Sequence, residues 1–306
     1  MGIQFREKYG KTFAKLAEVS KAAEKVDEFN IYEEANPEAK KYANIVVSEV
    51  LPEDSSIKGL ENLHSLYDSV TKEGKSGLIL AEHYSNFDLP EIMYLLEKTG
   101  EDWAKDMASR IVAIAGMKLN ESDPFVRAYA ESFTRVVVYP SRSQDSVEKK
   151  DISDEEKQAE AQRAKKINFA AMRAMDQCKK RGQIIVVFPA GTRYRPGKPE
   201  TKQGLREIDS YFRLFDNMVL ISINGNCLHI NPETPDDMLS DIIEPETITL
   251  TASPVMECKS FRKNILANLP EDCPDPKQET VNQMMKILEK MHDDEEKNRE
   301  GLKWKK

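Results

Sequence analysis

The stretch richest in potential chemistry is Glu82-His83-Tyr84-Ser85-Asn86-Phe87-Asp88, in a chain of 306 residues. It follows Gly77-Leu78-Ile79-Leu80-Ala81, an apolar run that reads as a buried strand. A carboxylate five residues beyond an imidazole can fold back onto it in a tight turn. There it fixes the ring tautomer and stabilises the imidazolium that forms when a hydroxyl gives up its proton. A base of this kind contributes about 10²–10⁴ in rate. The plainer reading makes Asp88 the N-cap of a helix from about Leu89 to Thr99, with Glu91 completing a capping box, and His83 an ordinary turn residue. Asp88 can fill both roles.

Two further sets stand after apolar runs. Phe188-Pro189-Ala190-Gly191-Thr192-Arg193-Tyr194-Arg195-Pro196 follows a strand expected over Gln183 to Phe188. Its small residues let backbone N–H groups approach an anion, which makes Gly191 and Thr192 candidates for turn or oxyanion support. Arg193 and Arg195 stand at alternate positions, aimed to one side of an extended chain, and their forks suit phosphate oxygens. Tyr139-Pro140-Ser141-Arg142-Ser143 places Arg142 just beyond a strand at Arg135 to Tyr139. Each set alone is matched by a surface turn with solvated arginines. Together they put one base and three arginines at strand ends, the edge where open α/β sheets bind ligands.

The elements that must position these residues follow from pattern. Ser153-Asp154-Glu155-Glu156 has the capping-box form and opens a long helix to about Arg181. Met218 to Ile223 gives a fourth strand, and Val281, Met284, Met285, Ile287, Leu288 and Met291 repeat at helical spacing between Pro276 and Glu300. Strands separated by helices predict an α/β fold with a mostly parallel central sheet flanked by helices. Residues 1–58 read as helical throughout, broken at Asn36-Pro37 and Leu51-Pro52. The expected division is a small N-terminal helical domain, 1–58, and a catalytic α/β domain, 59–306.

Bulk properties narrow the class. An apolar content of 40% beside 32% charged residues suits a globular protein with a real core. Ile3, Phe5, Phe13 and Leu16 are scattered among charges, so no signal peptide is expected. Runs such as Ile184-Ile185-Val186-Val187-Phe188 fall far short of the ~20 residues that span a bilayer. Cys178, Cys227, Cys258 and Cys273 show no metal or redox spacing, and His64, His229 and His292 show no ligand spacing, so no metal is expected. Reduced cysteines fit a cytoplasmic setting. A net charge of −8 argues against nucleic acid as a partner. That charge is uneven: residues 141–206 carry 16 Lys/Arg against 9 Asp/Glu, a local +7 that suits an anion.

With these residues in view, the sequence resembles the glycerol-phosphate acyltransferase superfamily, whose first block is H-x-x-x-x-D and whose third is F-P-E-G-T-R. The nearer likeness is to the soluble, plastid-type glycerol-3-phosphate acyltransferases, and it covers about residues 60 to 230. The resemblance implies that His83 and Asp88 are the catalytic pair and that Arg142, Arg193 and Arg195 hold a phosphate. Lys202-Gln203-Gly204 is similar to a Lys-x-Gly stretch of membrane members. Three departures stand out: Ala190 replaces the glutamate of the third block, Ser143 stands where the soluble type has histidine, and Glu82 precedes the histidine where asparagine is usual. The proline-bearing fourth block is not evident in Val219 to Asn224.

The implied reaction moves a fatty acyl group from an acyl carrier protein or coenzyme A thioester to the C1 hydroxyl of glycerol 3-phosphate, giving lysophosphatidic acid for phospholipid synthesis. The thioester is a co-substrate and no cofactor is expected. Lysophosphatidic acid is the alternative acceptor, and a non-catalytic lipid- or carrier-binding protein on the same fold is the rival class. The implied setting is the cytoplasm, or the stroma in a plastid-bearing organism, with peripheral membrane contact left open.

Overall fold

The computed structural model describes residues 2–121, 123–141, 143 and 153–299. The chain has a mixed α/β fold whose sheet is mostly parallel and flanked by helices. Its strands are β1 (Ile3–Gln4), β2 (Tyr32–Glu33), β3 (Ser56–Lys58), β4 (Gly77–Ala81), β5 (Ile111–Gly116) and β6 (Arg135–Val138). After them come β7 (Ile184–Val187), β8 (Asn217–Asn224), β9 (Leu228–His229), β10 (Ile242–Ile243), β11 (Thr249–Ala252) and β12 (Met256–Glu257). Two compact units are formed. The first takes residues 1–8, 44–111 and 182–306, the second 9–43 and 112–181.

In the first unit the strand order is β7-β4-β8-β11-β3. β4 runs parallel to both β7 and β8, and β11 turns antiparallel to β8. Gly77–Ala81 and Ile184–Val187 are buried at every position. Strands covered on both faces need apolar side chains at successive positions, not alternate ones, which is why these segments read as unbroken Leu/Ile/Val runs. A small antiparallel sheet, β1-β10-β9, completes the unit.

The second unit pairs β6 with β5 in parallel and with β2 antiparallel. Its long helix, Asp154–Lys180, starts at the expected box: the Glu156 N–H donates to Ser153 Oγ at 3.2 Å and the Ser153 N–H to Glu156 Oε2 at 2.9 Å. Asn168 on that helix accepts the Tyr139 N–H and donates to its carbonyl, so the end of β6 is tied to the helix.

The first 58 residues depart from the helical expectation. Helices Phe5–Val19 and Pro37–Val50 form, broken near Asn36-Pro37 and Leu51-Pro52 as the prolines dictate. Three short strands accompany them: β1 pairs with β10, β2 with β6 and β3 with β11. Edge backbone groups need partners when covered, and a strand of two or three residues satisfies them without a periodic sequence signal. The expected boundary at 58/59 therefore falls inside the first unit. Among the described residues no helix is long and apolar enough to cross a membrane.

Ile79 lies fully buried at the middle of β4. Replacing it with alanine is expected to lower the unfolding free energy by about 2–5 kcal/mol in urea melts. A loss within about 0.5 kcal/mol, the range of surface changes, would contradict the assigned burial.

Candidate active site

β4 and β7 lie side by side with Leu80 opposite Val187, so both chains leave the sheet at one edge. The residues that follow come into contact. The His83 ring stacks on Phe188 with centroids 4.2 Å apart and planes 18° from parallel. The His83 carbonyl accepts the Tyr194 N–H at 2.7 Å. Phe87, in the same turn, is buried and meets Phe5 edge-on at 5.3 Å, which anchors the turn in the core.

His83 Nδ1 stands 2.7 Å from Asp88 Oδ2. The same carboxylate accepts the Tyr84 N–H at 2.7 Å, the Ser85 N–H at 3.0 Å and the Ser85 hydroxyl at 3.1 Å. A carboxylate only accepts, so Nδ1 carries the proton and the Nε2 lone pair is left to act. Nε2 has no partner among the described residues, and the His83 side chain keeps 18% of its surface exposed. The pair can therefore take a proton from a hydroxyl brought to the sheet edge.

The expected capping box does not form. Phe87, not Asp88, is the N-cap, and Asp88 begins the helix Asp88–Lys98 with its oxygens turned back to the 83–85 turn. Glu91 is buried beneath it. Desolvation, reinforced by the neighbouring charge of Asp88, holds the Glu91 carboxyl well above the usual glutamate range. Two adjacent acids cannot both be charged in a dry site. The donors gather on Asp88, and Glu91 keeps its proton.

The arginines are less free than their spacing suggests. Arg193 is buried and its Nη1 forms an ion pair with Asp241, which also accepts from Asn86 Nδ2 at 3.3 Å. Burial pushes the Asp241 carboxyl up to about 6, with the Arg193 charge pulling the other way. Arg193 thus neutralises a buried acid and braces the His83 turn through Asn86. Arg195 makes a 3.0 Å pair with Asp236, whose side chain is 88% exposed. Such a pair opens at little cost. Arg142 lies outside the described residues. Gly191 has φ +63°, and an added Cβ would stand 2.5 Å from Leu205 Cδ1. Its N–H is already donated to the Phe188 carbonyl at 2.9 Å. The N–H of Thr192 has no partner among the described residues.

Several further candidates are named in the sequence without a role that their spacing could assign. Glu82 is 7% exposed; its carboxylate accepts the Ile223 N–H at 2.9 Å and the Tyr84 hydroxyl at 3.0 Å, and it contacts His292 Nδ1 at 2.9 Å. Burial, then the Glu82 charge, raises the Tyr84 phenol above its usual value, so it stays a donor. For His292 burial acts downward, but the hydrogen bond and charge of Glu82 outweigh it and the imidazole is raised. Its signal was the helical step: His292 stands four residues past Leu288, continuing the buried stripe. Lys202 holds its Nζ 5.5 Å from the Tyr194 ring centre and has no carboxylate partner among the described residues. Its charge opposes protonation of His292. No family model matches this chain, and no curated protein is significantly similar to it.

The Glu91 carboxyl carries a pH prediction. Its folded value exceeds the ordinary ~4.3, so its share of stability is fully present below that pH and is lost as pH rises toward the folded value. Glu91→Gln removes this loss. Its melting temperature is expected to gain on the wild type as pH rises through the range that begins above the ordinary glutamate value. A constant gap across that range would contradict a buried protonated acid.

Proposed function

We propose that the chain is an acyltransferase that esterifies the C1 hydroxyl of glycerol 3-phosphate from a fatty acyl thioester. The observation that carries the reading is the His83–Asp88 pair at the sheet edge, with Nδ1 held at 2.7 Å and Nε2 unpartnered among the described residues. The paired sequence blocks that resemble the glycerol-phosphate acyltransferases support it.

In this reaction His83 Nε2 takes the hydroxyl proton as the oxygen attacks the thioester carbonyl carbon. The C–O bond forms and the carbonyl π electrons move to oxygen. As the tetrahedral intermediate collapses the C–S bond breaks, and the imidazolium returns its proton to the departing thiolate. Asp88 keeps the ring oriented throughout and stabilises its charged form. The Thr192 N–H is the better oxyanion donor, because the Gly191 N–H is already bonded.

The phosphate falls to cations that can be released. Lys202 is uncommitted to any carboxylate among the described residues, and Arg195 needs only to exchange the exposed Asp236 for a phosphate. Arg142 joins them by resemblance alone. Arg193 holds Asp241 and serves the site as a brace. The acyl donor is an acyl carrier protein or coenzyme A thioester. Lysophosphatidic acid as acceptor would use the same machinery, and parallel assays with the two acceptors separate them.

Thiol release from an acyl thioester in the presence of glycerol 3-phosphate tests the reading. His83→Ala is expected to reduce turnover by about 10²–10⁴ with an unchanged circular dichroism spectrum. Near-wild-type turnover in that variant would reject the mechanism. Lys202→Met is expected to raise the acceptor KM by about tenfold or more, the loss of one charged hydrogen bond. Arg193→Ala, in contrast, should lower the melting temperature by stranding the buried Asp241. An Arg193→Ala protein of normal stability and raised KM would return that arginine to the phosphate.

A further inference from the structure

We propose that His292, on the C-terminal helix Pro276–Asn298, is a positioning residue that clamps the His83 turn through Glu82 and Tyr84. The proposal rests on the acyl-transfer reading for its kinetic consequence, and on geometry alone for the clamp.

The two residues that flank His83 in the chain converge on one imidazole. Glu82 Oε2 lies 2.9 Å from His292 Nδ1, while the Tyr84 hydroxyl donates to Glu82 Oε1 at 3.0 Å and stands 3.4 Å from the same Nδ1. Tyr84 also gives its backbone N–H to Asp88, the partner of His83. A contact made by His292 is therefore one residue from the base on each side. Glu82 is fixed to the sheet as well: its N–H donates to the Ile221 carbonyl at 3.1 Å and its carboxylate takes the Ile223 N–H. β8 grips the helix at the same level, since Asn224 Nδ2 donates to the His292 carbonyl at 3.0 Å and to Glu296 Oε2 at 3.1 Å.

The helix is seated closely enough for this to matter. A Cβ on Gly204 would stand 2.5 Å from Val281 Cγ1 and 2.9 Å from Met285 Cγ, so only glycine lets the segment after Lys202 lie against the helix. The ionisable groups that face His292 come from three elements: Glu82 and Tyr84 beyond β4, Glu296 on its own helix and Lys202 from the short 3-10 turn Pro199–Lys202 after β7. Glu82, buried at 7% exposure, lies closest. A buried carboxylate oxygen left without its hydrogen-bond donor must seek another, and the shift releases the turn. The glutamate at position 82, where the resembling family has asparagine, gains a physical reason: it is the acceptor that lets a distant helix hold the base.

The test uses the full-length chain with His292→Leu and His292→Asn, because an asparagine amide can occupy the place of Nδ1 and still donate to Glu82. Two readouts are taken: thiol release with glycerol 3-phosphate, and the 15N spectrum of the His83 imidazole. His292→Leu is expected to reduce kcat by about 10²-fold, the effect of displacing a catalytic group by roughly 1 Å. Acceptor KM should stay within about twofold, since the phosphate contacts are not touched. The His83 spectrum should show both ring tautomers in the leucine variant and one in the wild type, and His292→Asn should restore most of both signals. A leucine variant whose kcat and His83 spectrum match the wild type overturns the clamp. Should the wild type transfer no acyl group, the functional reading falls and the His83 spectrum still decides the clamp: two tautomers in the leucine variant uphold it, and an unchanged spectrum rejects it. If the leucine variant does not fold, Tyr84→Phe removes only the hydroxyl, with its bond to Glu82 and its 3.4 Å contact with His292 Nδ1. A smaller change in the same direction supports the clamp, and no change in the His83 spectrum overturns it.

Discussion

A carboxylate sealed from water must be surrounded by donors, and the Asp88 side chain meets that demand by drawing the 83–85 backbone and the His83 ring onto itself. The turn has little freedom once this is done. Its hydrogen bonds fix the ring tautomer, the outward direction of Nε2 and the start of the helix Asp88–Lys98 together. The remaining charges are arranged around that constraint. Burial, reinforced by the Asp88 charge, holds the Glu91 carboxyl well above the usual range, Arg193 and Asp241 neutralise each other next to Asn86, and Glu82 finds His292 and Tyr84.

Much of the framework was legible because it depends on patterns that strands and helix ends impose locally. The unbroken apolar runs at Gly77–Ala81 and Ile184–Val187 announce buried parallel strands, and the Ser153/Glu156 box announces a helix start. The meeting of the His83 and Phe188 segments was legible too, since parallel neighbours must end at one edge. The N-terminal strands were not. Ile3–Gln4 and Tyr32–Glu33 are strands only because β10 and β6 offer them partners, and two residues carry no period. β5 was missed for a related reason, as Ile111–Gly116 mixes alanine and glycine into a weak run.

Within the site the sequence located groups but not their allegiance. Arg193 and Arg195 look equivalent in an extended pattern, yet one is buried against Asp241 and the other faces the exposed Asp236. The distinction comes from a loop more than forty residues on, which spacing cannot reveal. His292 was hidden by distance as well: its partner Glu82 is 210 positions away. A histidine continuing an apolar helical stripe is the one local sign that it faces inward, and a glutamate beside the His83 of the candidate site is the matching sign at the other end. Neither is decisive until the topology joins them.

The central claim, that the His83–Asp88 pair activates a phosphorylated alcohol for attack on a thioester, is met most directly by comparing thiol release and ester formation with and without glycerol 3-phosphate. Release is expected to depend on the acceptor, saturate with it and match the ester formed one for one. Release that ignores the acceptor, or an absence of release with carrier-protein and coenzyme A donors alike, would contradict it.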